Sequence, residues 1–254
     1  MKEQFNVKIL LVTSFFVRGE MSVVYFPILT GLFVAVLVVS QVTAVKPVEI
    51  GIVFTGADLI FPLGYLLGDV LTEIYGFARS RIAIWTGLAA NVLMSGALWL
   101  VGILPGEPGW VAEGGQRAWD MLLGLAPRIA LASLVAYVVG EFVNAYVLAK
   151  LKVKTKGRYL WLRTIGSSMV GQGIDTLIFF PIAYAGAWPW SLIAEVMVVA
   201  YVVKVGVEVF MTPVTYAVVT FLKRRTGIDV YDERTSFNPF RLQFDDDFGS
   251  AKAR

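Results

Sequence analysis

"FPLGYLLGDVLTEIYGFARSRIAIW", Phe61 to Trp85, sets the problem of this chain. It opens as an apolar run of the kind that enters a bilayer. It then places Asp69 and Glu73 four residues apart, with Arg79 and Arg81 just beyond, and at once turns apolar again. Residues four apart share a helix face, so both acids project from one side of one helix, with Tyr65 a turn earlier. A pair of hydrophobic helices joined through a charged elbow is expected where a chain reaches a membrane surface and re-enters.

The rest of the chain agrees. Its 254 residues are 57% hydrophobic with a mean hydropathy of +0.71, more apolar surface than a soluble domain of this size can hide. The expected class is therefore all-α: a polytopic membrane protein whose uncharged runs reach the roughly 20 residues a bilayer core demands. There is no cysteine and no histidine. Disulfides, thiol catalysis and the usual zinc sites are excluded, and so is the commonest general base. The formal net charge of +3 says less than its distribution.

Six transmembrane helices are predicted, at about Val23 to Val45, Ile50 to Glu73, Ile82 to Leu104, Pro127 to Leu151, Thr164 to Ala185 and Leu192 to Leu222. Pro62 is expected to bend the second and Pro213 to break the sixth. The short run Val7 to Val17 contains Lys8 and reads as an interfacial lead-in rather than a cleavable signal. The Gly-, Pro- and Trp-rich segment after Leu104 reads as an interfacial loop. The predicted organisation is an N-terminal segment (1–22), a transmembrane domain (23–222) and a polar, disordered tail (223–254). Lys2, Lys8, Arg18, Arg79, Arg81, the basic loop Lys150 to Arg163 and the tail fall on one side; Lys46, Arg117 and Arg128 fall on the other. By the positive-inside rule both termini are cytoplasmic. The basic loop is read as a topology signal, and no nucleic acid is expected as partner.

An ionisable group at membrane depth costs a few kcal/mol or more unless paired or hydrated, so each needs a reason. Besides Asp69 and Glu73, the fourth predicted helix carries Glu141 and Asn144, with Tyr137 a turn before. The fifth carries Gln172, Asp175 and Thr176, with Phe179 a turn on; the sixth carries Lys204 and Glu208; the third carries Asn91 and Ser95. Narrow polar stripes on otherwise apolar helices point at one another, and together they predict an acid-rich, hydrated interior. Structural readings compete: Lys204 with Glu208 as a self-neutralising pair, Asp69 and Glu73 as helix-end partners of Arg79 and Arg81, and the amides as interhelical hydrogen bonds.

The opening stretch, with "GQGIDTLIF" (Gly171 to Phe179) and "KVGVEVFMTPVTYAVVTFLKRRTGIDVYD" (Lys204 to Asp232), resembles in order the signatures of the queuosine precursor transporter family, also called the vitamin uptake transporter family. The family usually has Asn where Gly68 stands. The resemblance implies a fold similar to the substrate-binding subunits of energy-coupling-factor vitamin transporters. It also implies import of the 7-deazaguanine bases preQ0 and preQ1 across the cell (inner) membrane.

A planar, guanine-like cargo offers two adjacent N–H donors, a carbonyl and flat faces. On that reading Asp175 or Glu73 accepts the donors, Gln172 and Asn144 orient the base, and Tyr65, Tyr75, Trp85 or Phe179 stack on it. Asp69, Arg79 and Arg81 gate the cytoplasmic end, and Glu141 or Glu208, the latter beside Lys204, takes up a proton if transport is proton-coupled. No cofactor or metal is expected, and a homo-oligomer is compatible with the reading. One alternative is a capture subunit for another vitamin or nucleobase that needs an energising ATPase complex; this chain itself has no Walker motif. Another is an intramembrane enzyme with Mg²⁺ on Asp69 and Glu73. A purely structural protein would not require polar stripes on five helices.

Overall fold

The computed structural model describes residues 24–51, 53–124 and 127–241. The lead-in Val7 to Val17, with Lys2, Lys8 and Arg18, lies outside the described residues. The order is α1 (Val24–Thr43), β1 (Pro47–Glu49), β2 (Val53–Thr55), α2 (Gly56–Tyr75), α3 (Phe77–Gly102), α4 (Pro108–Ala112), α5 (Gly115–Leu122), α6 (Pro127–Lys154), α7 (Leu160–Tyr184) and α8 (Trp190–Thr226). The all-α class holds. The two strands are three residues each and form one antiparallel hairpin with Val48 opposite Phe54.

That hairpin is why α2 starts at Gly56 rather than near Ile50. Thr55 caps it: the Asp58 carboxylate accepts from both the Thr55 N–H and its hydroxyl, each at 2.9 Å. At the other end Gly76 adopts φ +78°, a conformation that L side chains rarely take, and α3 begins at the next residue. The charged elbow is therefore one glycine, and Arg79 and Arg81 lie in the first turns of α3 rather than in a loop before Ile82.

Two further expectations need correcting. Pro213 does not break the last helix: α8 is continuous over 37 residues, as packed bundles allow when neighbouring groups satisfy the freed carbonyl. The tail is not disordered over residues 227–241. Gly227 ends α8 in the left-handed conformation, and the chain turns back onto the bundle. There the Val230 N–H donates to the Ile74 carbonyl, while Ile228 and Phe237 pack against the core.

The loop after α3 folds into the short helices α4 and α5. Glu107 caps α4 by accepting from the Gly109 and Trp110 N–H groups at 2.9 and 2.7 Å, which holds its carboxyl below the usual carboxylate range.

α2 is the central element and touches α3, α6, α7 and α8. α6 and α7 are the most closely joined pair, because Gly140 and Gly171 face each other: a Cβ on Gly171 would meet the Gly140 carbonyl oxygen at 2.9 Å. Large apolar side chains cover the outside, with Leu93, Leu177 and Phe210 exposed to 74%, 64% and 80%. That is a surface for lipid, not water. α1, α3 and α6 are long and apolar enough to cross a membrane. α2, α7 and α8 carry more buried polar residues within their spans, and their 20, 25 and 37 residues reach about 30, 38 and 55 Å.

Candidate functional site

Midway along the bundle, four helices turn ionisable groups inward. Asp69 (α2), Glu141 (α6), Asp175 (α7) and Lys204 and Glu208 (α8) are all buried, and so are Tyr65, Asn144, Gln172 and Thr176. Glycines bring them close. A Cβ on Gly68 would lie 3.0 Å from Glu141 Oε2, and one on Gly140 would lie 3.0 Å from both Asp175 Cβ and Tyr65 Oη. The missing side chain at Gly68 is the space that lets the Glu141 carboxylate reach α2.

Few of these groups are partnered. The Asn144 amide donates to Asp69 Oδ1 at 2.9 Å, and Lys204 Nζ donates to Asp175 Oδ2 at 3.1 Å. Lys204 therefore pairs with Asp175, across helices, and not with Glu208 on its own helix as the self-neutralising reading expected. Asp69 Oδ2, Glu141 Oε1, Glu208 Oε2, Tyr65 Oη, Asn144 Oδ1, Thr176 Oγ1 and both amide atoms of Gln172 have no hydrogen-bond partner among the described residues. Buried polar atoms are rarely left so; this many together mark a place for water or a polar ligand. Phe61, one helical turn before Tyr65, supplies an aromatic wall. Its ring is 5.5 Å from that of Tyr65 and lies under Lys204 Nζ at 5.2 Å. The i,i+4 spacing to Tyr65 was the available signal for it.

Glu73 belongs to a different cluster. Its Oε1 receives Arg163 Nη2 at 2.8 Å and Lys223 Nζ at 2.6 Å, with Lys152 Nζ at 3.6 Å, and its Oε2 receives Arg163 Nε at 3.2 Å. Lys152 also donates to the Glu73 backbone carbonyl. Asp229 of the tail closes the group, accepting from Lys152 and, at 2.8 Å, from Lys223. Burial alone would raise the Asp229 carboxyl, but Lys152 and Lys223 hold it below the ordinary carboxylate range. Glu73, expected as an alternative substrate acceptor, thus has both oxygens taken. The same geometry counts against Mg²⁺ on Asp69 and Glu73, because a carboxylate ringed by three cations is a poor metal ligand.

The expected aromatics and gate residues also separate. Trp85 donates Nε1–H to the Pro239 carbonyl at 2.8 Å and packs on Phe142 and Phe240. Tyr75 packs on Phe26 under Arg79, and Phe179 packs on Phe180 and Tyr184. None of these three contacts is with the acid cluster. Arg81 donates to the Ser236 and Asn238 carbonyls at 3.2 and 2.7 Å, so it holds the tail. Asp232 accepts from the Phe77 N–H at the start of α3. Burial pushes the Asp232 carboxyl up, against the hydrogen bonds from Thr235 and Phe77. Lys152, Arg163, Lys223 and Asp229 were not picked out singly from the sequence; the basic loop and the "KRR" after Leu222 read there as topology signals.

Apolar helices around a buried acid cluster define a helical membrane protein with an internal polar site. The chain belongs to the vitamin uptake transporter family: residues 55–218 match the family described as "Putative vitamin uptake transporter". It is 32% identical over 192 residues to the "Probable queuosine precursor transporter" of Bacillus subtilis (strain 168), covering 74% of this chain and 82% of that one. It is 28% identical over 185 residues to the "Queuosine precursor transporter" of Escherichia coli (strain K12), covering 70% and 79%. A "Probable queuosine precursor transporter" of Haemophilus influenzae is also 28% identical, over 169 residues, covering 65% and 68%. No solved structure matches the chain.

Proposed function

We propose that this protein imports queuosine precursors, the 7-deazaguanine bases preQ0 and preQ1, across the cell inner membrane. The helices α1, α2, α3, α6, α7 and α8 are its six spans, and both termini are cytoplasmic. Residues 1–22 and 223–254 flank the transmembrane domain on the cytoplasmic side. Transport rather than catalysis is the reading, with a small planar heterocycle and the bilayer as partners.

The observation that carries it is the Asp175–Lys204 pair, 3.1 Å apart among unpartnered amides and acids. A guanine-like edge presents donor, donor, acceptor in a row. Asp175 accepts from the two N–H groups while Lys204 donates to the carbonyl. Gln172 and Asn144 fix the orientation, and Phe61 and Tyr65 cover a face. A site that satisfies such an edge rejects analogues lacking it by large factors, because its own buried groups would be left bare. Glu73, Arg163, Lys152 and Lys223, with Arg79, Arg81 and the tail, form the cytoplasmic gate.

The test is uptake of labelled preQ0 in a strain unable to make it. Asp175→Asn and Lys204→Met should each abolish growth-limiting uptake while the protein still reaches the membrane. Unchanged uptake in both would remove the assignment. Uptake by the purified chain in proteoliposomes would rule out an obligatory energising complex, the capture-subunit alternative.

A further inference from the structure

The acid cluster holds more negative charge than the cargo edge needs. Four carboxylates, on Asp69, Glu141, Asp175 and Glu208, face one ammonium, on Lys204. The groups that look onto the cluster are Tyr65 and Asp69 of α2, with Glu73 one turn away; Tyr137 and Glu141 of α6; Asp175 of α7; and Lys204 and Glu208 of α8. α1 sets Phe33 against Gly68, and Tyr137 donates its hydroxyl to the Ile84 carbonyl of α3. Lys152, Arg163 and Lys223, which with Glu73 and with Asp229 of the tail form a charge latch between bundle and tail, are already engaged there. After Lys204 neutralises Asp175, three acids remain. Asp69 accepts from Asn144 and Ser168 faces Glu208, yet one oxygen of each of the three has no partner among the described residues. Uncompensated ionised carboxylates at this depth are costly, so positive charge must join them.

We infer that Asp69, Glu141 and Glu208 together seat one positive charge in every transport cycle: the cargo's own ammonium when it has one, and a co-transported proton when it does not. This rests on the base-import reading above. The two 7-deazaguanines make the distinction sharp, since one carries a neutral nitrile and the other a cationic aminomethyl group on the same ring. A proton suits the site better than a metal ion. The acids sit on three different helices with a backbone glycine pressed against one of them, and no group of three or more acids among the described residues is arranged as metal ligands. Facing outward, the empty seat takes up a proton; the aminomethyl base displaces it there, and the nitrile base enters beside it. Facing inward, base and charge leave together, and the emptied carrier returns without the charge.

Two measurements on the purified full-length chain decide this. In proteoliposomes, a tenfold inward proton gradient should raise equilibrium accumulation of the nitrile base about tenfold and leave the aminomethyl base nearly unmoved. An inside-negative potential of about 100 mV should concentrate both, by roughly fiftyfold for one charge per cycle. Infrared spectra of the empty protein at neutral pH should show a protonated-carboxyl band that is reduced in Glu141→Gln or Glu208→Gln. The band should fall in the unmutated protein when the aminomethyl base, but not the nitrile base, is added. Nitrile-base uptake driven by sodium, or indifferent to proton gradient and potential, overturns the inference while leaving the import reading intact. So does the absence of the carboxyl band. A band that is present in a protein transporting neither base supports the proton seat and sinks the import reading instead.

Discussion

Asp69 and Glu73 stand one turn apart on one helix, about 6 Å along its axis, and both are fully buried. They live in opposite electrostatic worlds. At the tail end two carboxylates, Glu73 and Asp229, are shared among three cations, and both oxygens of Glu73 are bonded. In the middle of the bundle four carboxylates share one lysine, and most polar atoms have no partner. The first arrangement closes a structure; the second waits for something. Burial by itself does not separate a structural acid from a functional one, but the saturation of its lone pairs does.

The sharpest way to break this comparison is to remove the charge from each region in turn. Glu73→Gln leaves Lys152 and Lys223 with Asp229 alone, and Arg163 with only the Thr155 hydroxyl and the Arg158 carbonyl. Stranding buried cations in this way destabilises by about 3–5 kcal/mol, so the variant should unfold at far lower temperature in detergent and accumulate poorly. A melting temperature within a degree or two of the parent would show that the latch is ornamental. Next in size is Gly171→Ala. Its new methyl group would press on Asn144 Cβ at 2.7 Å and on the Gly140 carbonyl at 2.9 Å. Overpacking of this kind costs about 1–3 kcal/mol, and here it also spreads α6 from α7 exactly where Glu141 and Asp175 must converge. Stability and uptake should fall together. Retained uptake would mean that the site tolerates a wider interhelical gap.

The opposite sign is expected at Glu141. Glu141→Gln removes one of the unpaired carboxylates without changing its shape, so stability should stay level or rise by up to about 1 kcal/mol, while uptake of the nitrile base is lost. Melting in detergent and transport in vesicles are read on the same preparation. Loss of both would place Glu141 with Glu73 as a structural acid and dissolve the distinction between the two regions.

Most of the fold was legible because hydrophobic length and charge asymmetry are local properties. The long helices were found from uncharged runs. Their boundaries shifted where a tertiary feature intervened: the 47–55 hairpin delayed α2, and a single left-handed glycine advanced α3. Pro213 was misjudged because isolated-helix rules overstate its effect inside a packed bundle. The tail was misjudged because its composition is polar, yet Phe237 and Tyr231 use lysine and aromatic faces as docking surface. At the site, the i,i+4 and i,i+3 stripes identified the inward acids and amides. The partners of Glu73 were hidden, since Lys152, Arg163 and Lys223 lie 79, 90 and 150 residues away from it. The stacking aromatics were assigned by type alone, and type does not distinguish Trp85, held by the tail, from Phe61, held beneath Lys204.

The smallest effect tests how the tail is held. Asp229 sits below the ordinary carboxylate range because of Lys152 and Lys223. A group depressed in the folded state stabilises above its unfolded value and loses that contribution as pH falls through the folded one. Docking of residues 227–241 should therefore loosen as the solution is taken below the ordinary Asp value of 3.8. Asp232 is raised by burial, so its contribution has the reverse sense: it is present at low pH and lost as pH rises through the folded value. Because the chain has no cysteine, a single probe at Glu233→Cys reports tail mobility cleanly by spin-label spectroscopy. In the parent, mobility should increase on acidification, since Asp229 bonds two lysines. In Asp229→Asn the residual dependence should change sign, with the tail held more firmly in acid, because only Asp232 still titrates there. If the variant keeps the parent's pH response, the latch is not what ties the tail to the bundle, and Arg81 with its two backbone carbonyls becomes the principal tether.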